Sequence, residues 1–288
     1  MRKARNRLDR YASVPWRRRA YVSSARPIVI GACPRSGTTL LRRILDTHSD
    51  ICCGPESNLL LPGRPDIAVL TLGYGLGAAE IREMQAETHS QAEFVDRFME
   101  RYASSVGTRR WAEKTPLNIR HMDWTWRHFP EVRFVQVIRD GRDTVCSMRA
   151  HADRRLVNGQ WVKVPQNRTI EQLIARWDAD VRAGMAHRGD PRYTEVRYED
   201  LVAEPRATME ALFAFIGEPF QEHVLDYRTD TERARAPDDD APRGAIHSQS
   251  IGRWRHDLSP ADRASFALLA GALLVELGYE QDAAWASG

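Results

Sequence analysis

Residues 27–50 constrain this chain most, because they read as a strand, a glycine-bearing turn and a helix in immediate succession. Ile28, Val29 and Ile30 supply the strand and Gly31-Ala32-Cys33-Pro34-Arg35-Ser36-Gly37-Thr38-Thr39 the turn, while Leu40, Leu41, Ile44 and Leu45 share one face of a helix opening at the two threonines. The first turn of a helix has backbone N–H groups without intrahelical partners and the positive end of the peptide dipole. Both point into the preceding loop, which is therefore suited to an anion such as phosphate.

The loop is not the form that binds nucleoside triphosphates. That form needs G-x-x-x-x-G-K-[ST], whose Lys reaches the outer phosphates and whose Ser/Thr holds magnesium. Here Gly31 and Gly37 have five residues between them, Thr38 stands where the lysine would be, and the cation has moved back to Arg35. The segment reads as a phosphate or sulfate cradle lacking the usual metal partner; the plainer alternative is a turn that needs Gly37 only for its backbone.

The pattern recurs. Val132–Ile138 is a β-branched strand, Arg139-Asp140-Gly141-Arg142-Asp143 a turn, and Thr144, Val145 and Met148 begin a helix. Arg139 at the strand's carboxyl end and Ser147 in the helix can both reach an anion at the sheet's mouth, the arginine with a fork of donors and the serine with a neutral one. The alternative is a solvated turn whose charges pair among themselves.

Between and beyond these segments, strands and helices alternate. Ile51–Cys53 and Arg109–Glu113 read as strands. Phe94, Val95, Phe98, Met99 and Tyr102 mark one helix, and Ile119, Met122, Trp126 and Phe129 another ended by Pro130. Residues 59–77 are apolar but broken by glycine and proline, with no readable period. Residues 156–168 read as an insertion with a small hairpin around Asn158-Gly159, followed by a helix through Ile170, Leu173, Ile174, Trp177 and Val181, a strand at 193–198 and a helix from Pro205. After a polar loop at 229–249, Ser259, Pro260 and Gly278 punctuate a last helix. This order predicts an α/β fold with a mostly parallel central sheet covered on both faces, and ligands outside the strands' carboxyl ends.

The chain of 288 residues is 42% apolar, enough for a core, and its net charge of +3 does not mark the whole molecule as a nucleic-acid binder. Basic residues concentrate at the start: Arg2, Lys3, Arg5, Arg7, Arg10, Arg17, Arg18, Arg19 and Arg26 stand against Asp9 alone. Residues 1–26 are expected to form a flexible basic arm and residues 27–288 a single domain. The arm has few aromatics interleaved with its charges, against a single-stranded nucleic acid as partner. No apolar run of about 7–15 residues follows the basic ones and no stretch approaches ~20, so a cytoplasmic protein without a membrane span is expected. The four cysteines, Cys33, Cys52, Cys53 and Cys146, lack metal or disulfide spacing and read as free buried thiols. Asp238-Asp239-Asp240 reads as solvated surface.

The loop Pro34–Thr39 resembles the 5′-phosphosulfate-binding loop of sulfotransferases that use 3′-phosphoadenosine 5′-phosphosulfate, in the branch containing the protein-tyrosine sulfotransferases. Val-Ile-Arg-Asp-Gly-Arg-Asp with Ser147 is similar to that family's 3′-phosphate-binding strand and helix. The resemblance implies a P-loop-type three-layer fold and donor contacts from Arg35, Ser36, Gly37, Thr38, Thr39, Arg139 and Ser147. It adds Tyr198 beside the nucleotide and Ser250, Gly252, Arg253 and Trp254 in a late loop closing over the donor. Glu56 is placed like the family's glutamate base and Lys114, in Glu113-Lys114-Thr115-Pro116, like its transition-state lysine. The chain departs from the tyrosine enzymes at Gly252, where they have serine, at His151, where they have arginine, and in showing no membrane anchor.

The implied reaction moves the sulfuryl group to a hydroxyl acceptor, whether sugar, phenol, peptide tyrosine or secondary metabolite. Arg35, Lys114 and the helix start would oppose the accumulating charge, and no metal is required. His48 is a rival base, although it follows the helical stripe and reads as the helix end; His151 is a second rival. The competing readings are a P-loop small-molecule kinase or other nucleotide-binding enzyme, which the missing lysine opposes, and a noncatalytic nucleotide sensor or nucleic-acid binder using the basic arm.

Overall fold

The structure, a computed structural model, describes residues 20–63, 65–157, 160–164, 167–226, 250–282 and 284–287, with 153–157, 160–161 and 287 through their backbone. In chain order the elements are β1 (Ile28–Ala32), α1 (Thr38–Thr47), β2 (Ile51–Cys53), α2 (Ile67–Tyr74), α3 (Ala78–Glu87), α4 (Gln91–Ser105) and β3 (Arg110–Lys114). A 3₁₀ turn (Pro116–Arg120) leads to α5 (Met122–His128), β4 (Arg133–Ile138), α6 (Gly141–Ala150), β5 (Asp153–Val157), β6 (Gln160–Val164), α7 (Ile170–Met185) and β7 (Tyr193–Arg197). The chain continues through α8 (Tyr198–Ala203), α9 (Pro205–Ile216), a 3₁₀ turn (Glu222–Asp226), α10 (Trp254–Asp257) and α11 (Pro260–Glu276).

Five strands form one parallel sheet in the order β2-β3-β1-β4-β7. Parallel neighbours need crossovers, and helices supply them on both faces, so β1 is buried throughout. Its alternating side chains divide the core. Val29 joins Trp111 and Phe134 against Phe94, Phe98 and Met99 of α4. Ile28 and Ile30 face the other way, with Leu41, Ile44 and Leu45 of α1 and Met209, Leu212 and Phe213 of α9. Beyond β4, Val145 and Met148 of α6, Trp177 of α7 and Phe266 of α11 form a third cluster. The expected α/β architecture with a central parallel sheet is the one observed.

Several local expectations change. Residues 59–87 contain α2 and α3; Asp66 caps α2, accepting from the N–H groups of Ala68 and Val69 at 2.9 and 3.3 Å. The helical spacing from Ile119 to Phe129 divides at His121 into the 3₁₀ turn and α5. Tyr198 begins a helix rather than ending a strand. β5 and β6 pair antiparallel as the expected hairpin, whose Asn158-Gly159 turn lies outside the described residues. So do Asp238-Asp239-Asp240, the rest of 229–249 and residues 1–19 of the basic arm.

The end of the stretch assigned to the arm is packed on the domain. Tyr21 Oη donates to Asp96 Oδ2 at 2.6 Å, and Ser23 N–H donates to His128 O at 2.8 Å. Arg110 fastens the same edge: Nε donates to Arg26 O at 2.6 Å and Nη1 to Ile216 O at 2.7 Å and Glu218 Oε1 at 3.1 Å. Among the described residues the four cysteines are free and buried, and no helix is long and apolar enough to cross a membrane.

Candidate active site

The turn after β1 is shaped by two left-handed residues, Arg35 at φ 74° and Gly37 at φ 97°. A side chain is disfavoured at such a φ, and Gly37 has a second reason to be glycine: a Cβ there would lie 2.2 Å from the Tyr198 ring. Arg35 is held in its uncommon conformation by Arg139, whose Nη1 donates to Arg35 O at 3.1 Å. Arg35 itself is exposed and reaches Ser147, Nε to Oγ, at 3.3 Å. Thr38 and Thr39 open α1, so their N–H groups face the loop. Ser36 Oγ, Arg139 Nε and Thr144 Oγ1 are buried and have no hydrogen-bond partner among the described residues. Unsatisfied polar atoms at the carboxyl ends of β1 and β4 and in the first turn of the helix after β4 suit a bound phosphate or sulfate group.

Arg139 does not sit in a solvated turn. It is buried, its guanidinium carbon lies 4.7 Å from the Tyr198 ring centre, and its Nη2 donates to Ser250 O. Tyr198 Oη and Ser250 Oγ are 2.8 Å apart, so Arg139, Tyr198, Ser250, Arg35 and Ser147 form one connected group. The self-paired alternative holds for the neighbours instead: Arg142 meets Asp140 through Nε and Nη2 at 3.0 and 2.7 Å.

Asp143, which the sequence shows only as part of the turn, anchors the late loop by accepting from the N–H of Gly252 at 2.7 Å and of Trp254 at 3.0 Å. Burial pushes its carboxyl up and these two N–H groups pull it back. Gly252, at φ 75°, takes a conformation that the serine of the tyrosine enzymes would adopt at a cost. Of the other late-loop residues, Arg253 pairs with Asp257 at 2.7 Å, and the buried Trp254 ring has the guanidinium carbons of Arg142 and Arg255 at 3.9 and 4.7 Å from its centre. A desolvated cation such as buried Arg142 stacks well on an indole face, which packs Trp254 against α6.

Glu56 and Lys114 come together at the carboxyl ends of β2 and β3. Lys114 Nζ donates to Glu56 Oε1 at 2.7 Å, with the lysine side chain 2% and the glutamate 39% exposed. Lys114 pairs in register with Ile30, two residues before the end of β1, which puts the ion pair at the same edge of the sheet as the glycine loop. Edge strand β2 is completed by side chains of α1: Arg42 Nη1 donates to Cys53 O at 3.2 Å and Asp46 Oδ1 accepts from Cys53 N at 2.8 Å. A strand edge would otherwise expose both groups, so these bonds also fix where the Glu56 loop begins.

The rival bases stand elsewhere. His48 ends α1 and is fully buried; Asp50 N–H donates to Nδ1 at 3.1 Å, so Nε2 carries the proton toward Pro219 O at 3.0 Å. Both ring nitrogens are engaged. His151 is exposed at the carboxyl end of α6. Glu113 has no role in the sequence reading, yet it is fully buried and receives Ser57 and Thr115 hydroxyls, each at 2.6 Å. The available signal is parity: Glu113 shares a strand face with Trp111, so it must enter the core beneath α4.

A five-strand parallel sheet flanked by helices, with a glycine-bearing turn at its carboxyl edge, is the P-loop sulfotransferase fold, as solved structures show. The sulfotransferase domain of the Synechococcus PCC 7002 olefin synthase superposes with a TM-score of 0.63 at 21% identity, covering 88% of this chain and 95% of that one. Mouse sulfotransferase SULT7A1 complexed with PAP gives 0.53 at 12% identity, covering 86% and 84%. The sequence model of the Sulfotransferase family matches residues 27–222, and the chain belongs to that family. Protein-tyrosine sulfotransferase 1 of Danio rerio is 26% identical over 210 residues, 69% of this chain and 55% of the relative. Nodulation protein NoeE of Sinorhizobium fredii is 27% identical over 275 residues, 86% and 64%. The chain thus spans roughly half to two thirds of the length of these two curated relatives.

Proposed function

We propose that the protein transfers the sulfuryl group of 3′-phosphoadenosine 5′-phosphosulfate to the hydroxyl of a small molecule, sugar or peptide. The observation that carries this reading is the ion pair of buried Lys114 with half-exposed Glu56, 2.7 Å long, at the same edge of the sheet as the Gly37 loop in a chain of this family. Ser36, Gly37 and the N–H groups of Thr38 and Thr39 hold the 5′-phosphosulfate, and Arg139 with Ser147 the 3′-phosphate. Tyr198 and the main chain at Ser250 and Gly252 border the nucleotide. The donor supplies the sulfur electrophile.

Glu56 takes the acceptor's hydroxyl proton as the oxygen–sulfur bond forms. Lys114 gives up its contact with Glu56 to stabilise negative charge on the phosphate oxygen as the old sulfur–oxygen bond breaks, while Arg35 and the helix start balance charge on the equatorial oxygens. The buried free thiols support a reducing, cytoplasmic location.

The test compares thermal stabilisation by adenosine 3′,5′-bisphosphate without metal and by ATP with magnesium. A ligand at 100 times its dissociation constant adds about 2.7 kcal/mol. The bisphosphate is expected to stabilise strongly and ATP weakly; a magnesium-dependent preference for ATP overturns the reading. Sulfur-radiolabelled donor offered to a tyrosine peptide, a phenol and an oligosaccharide then identifies the acceptor class.

A further inference from the structure

Glu113 has no exposed surface, a costly place for a carboxylate unless donors surround it. Ser57 Oγ and Thr115 Oγ1 each donate to its Oε1 at 2.6 Å, and Asn118 Nδ2 donates to Oε2. Each donor sits on a different part of the site. Ser57 follows Glu56, Thr115 follows Lys114, and Asn118 also donates to Ile30 O at 3.2 Å, on the strand that runs into the phosphate loop.

The directions of these bonds are set. Ser57 Oγ accepts from Leu59 N at 3.1 Å and Thr115 Oγ1 from Asn58 N at 3.1 Å, which leaves each hydroxyl proton for Glu113. From the other side, Tyr74 Oη donates to Pro55 O at 2.8 Å and its ring covers Gly54, where a Cβ would lie 2.3 Å away. The Glu56 turn is therefore held between Tyr74 and Glu113.

We infer that Glu113 is a positioning residue for sulfuryl transfer, holding the Glu56 turn in place through Ser57 and Thr115, with Asn118 tying the same carboxylate to β1. This rests on the roles proposed above for Glu56 and Lys114. Glu113 touches no reacting atom. It acts by removing the freedom of two short segments whose mutual placement sets the distance from base to nucleophile, and small misplacements of such groups are expensive in rate. Burial pushes its carboxyl up, and the hydroxyls, the amide and Lys114 pull it only part of the way back.

Ser57→Ala and Thr115→Val each remove one of these bonds, and Glu113→Gln removes the charge with its shape kept. Consumption of sulfur-radiolabelled donor is followed with a tyrosine peptide, a phenol and an oligosaccharide present together, and binding of adenosine 3′,5′-bisphosphate is measured by calorimetry. Each substitution is expected to lower turnover about tenfold or more while nucleotide binding stays within about threefold. In the Glu56→Gln background the same substitutions should change residual turnover less than about twofold, because the group they position is already lost.

Equal losses in the two backgrounds, or nucleotide binding that falls in step with turnover, would overturn the inference and leave Glu56 as base. If Glu56→Gln alone leaves turnover unchanged, the base assignment fails and the inference with it. Should Glu113→Gln not fold, Ser57→Ala and Thr115→Val decide the matter.

Discussion

Lys114 is almost wholly removed from water, and Glu56 is the carboxylate against its ammonium. A buried ammonium tolerates the loss of a charged partner badly, but an amide oxygen can still accept its proton, so Glu56→Gln tests chemistry more cleanly than Glu56→Ala. Glu56→Gln is expected to lower turnover by about 10²–10⁴ and to leave calorimetric binding of adenosine 3′,5′-bisphosphate nearly unchanged. Wild-type turnover in that variant would move the base away from Glu56. Glu113 makes a separate claim on pH. Burial raises its carboxyl above the ordinary 4.5, so the folded state keeps a proton that the unfolded chain has released. Stability from this group is then fully present below the ordinary value and is lost as pH rises through the raised one. Urea titrations should show a larger stability advantage of wild type over Glu113→Gln near pH 4.5 than near pH 7.5; the opposite trend would mean a lowered carboxyl.

The turn between β1 and α1 could be read from its residues, because Gly37, the two threonines and the stripe from Leu40 to Leu45 are local signals. What Gly37 packs against could not, since Tyr198 approaches from far along the chain. Gly37→Ala meets both a disfavoured φ of 97° and a ring 2.2 Å from the new Cβ. It should cost about 1–3 kcal/mol and weaken nucleotide binding at least tenfold in calorimetry. Adding Tyr198→Ala should relieve only the clash; full recovery in the double variant would show that the φ carries no strain. The same division between local and distant information explains the other outcomes. Helix α2 has apolar residues all round, with only Leu70 and Tyr74 buried, so it offers no stripe to detect. Arg253 and Trp254 have the residue types of a nucleotide site, but their partners, Asp257 one turn on and Arg142 from α6, are set by the fold. Asp143 and Glu113 stand in segments the sequence singles out, yet their work depends on partners brought together only by the sheet.

The molecule separates support from chemistry along the strand direction. At the amino ends, Arg110 ties Arg26 to the turn holding Ile216 and Glu218, and burial lowers its guanidinium, so removing it strands three acceptors from two parts of the chain. Arg110→Ala should destabilise the fold by about 2–4 kcal/mol in urea titration while turnover per folded molecule is unchanged; a matching loss of turnover would show that the two ends are coupled. At the carboxyl ends the closing segment is carried on Asp143, which grips main-chain N–H groups and reads no side chain. That separates attachment from recognition. Ile251 and Arg253, whose side chains play no part in the grip, can be exchanged without unhooking the segment, provided proline is avoided at the gripped positions. Selection, natural or in the laboratory, therefore has a place to try new side chains while the attachment of the segment stays where it is.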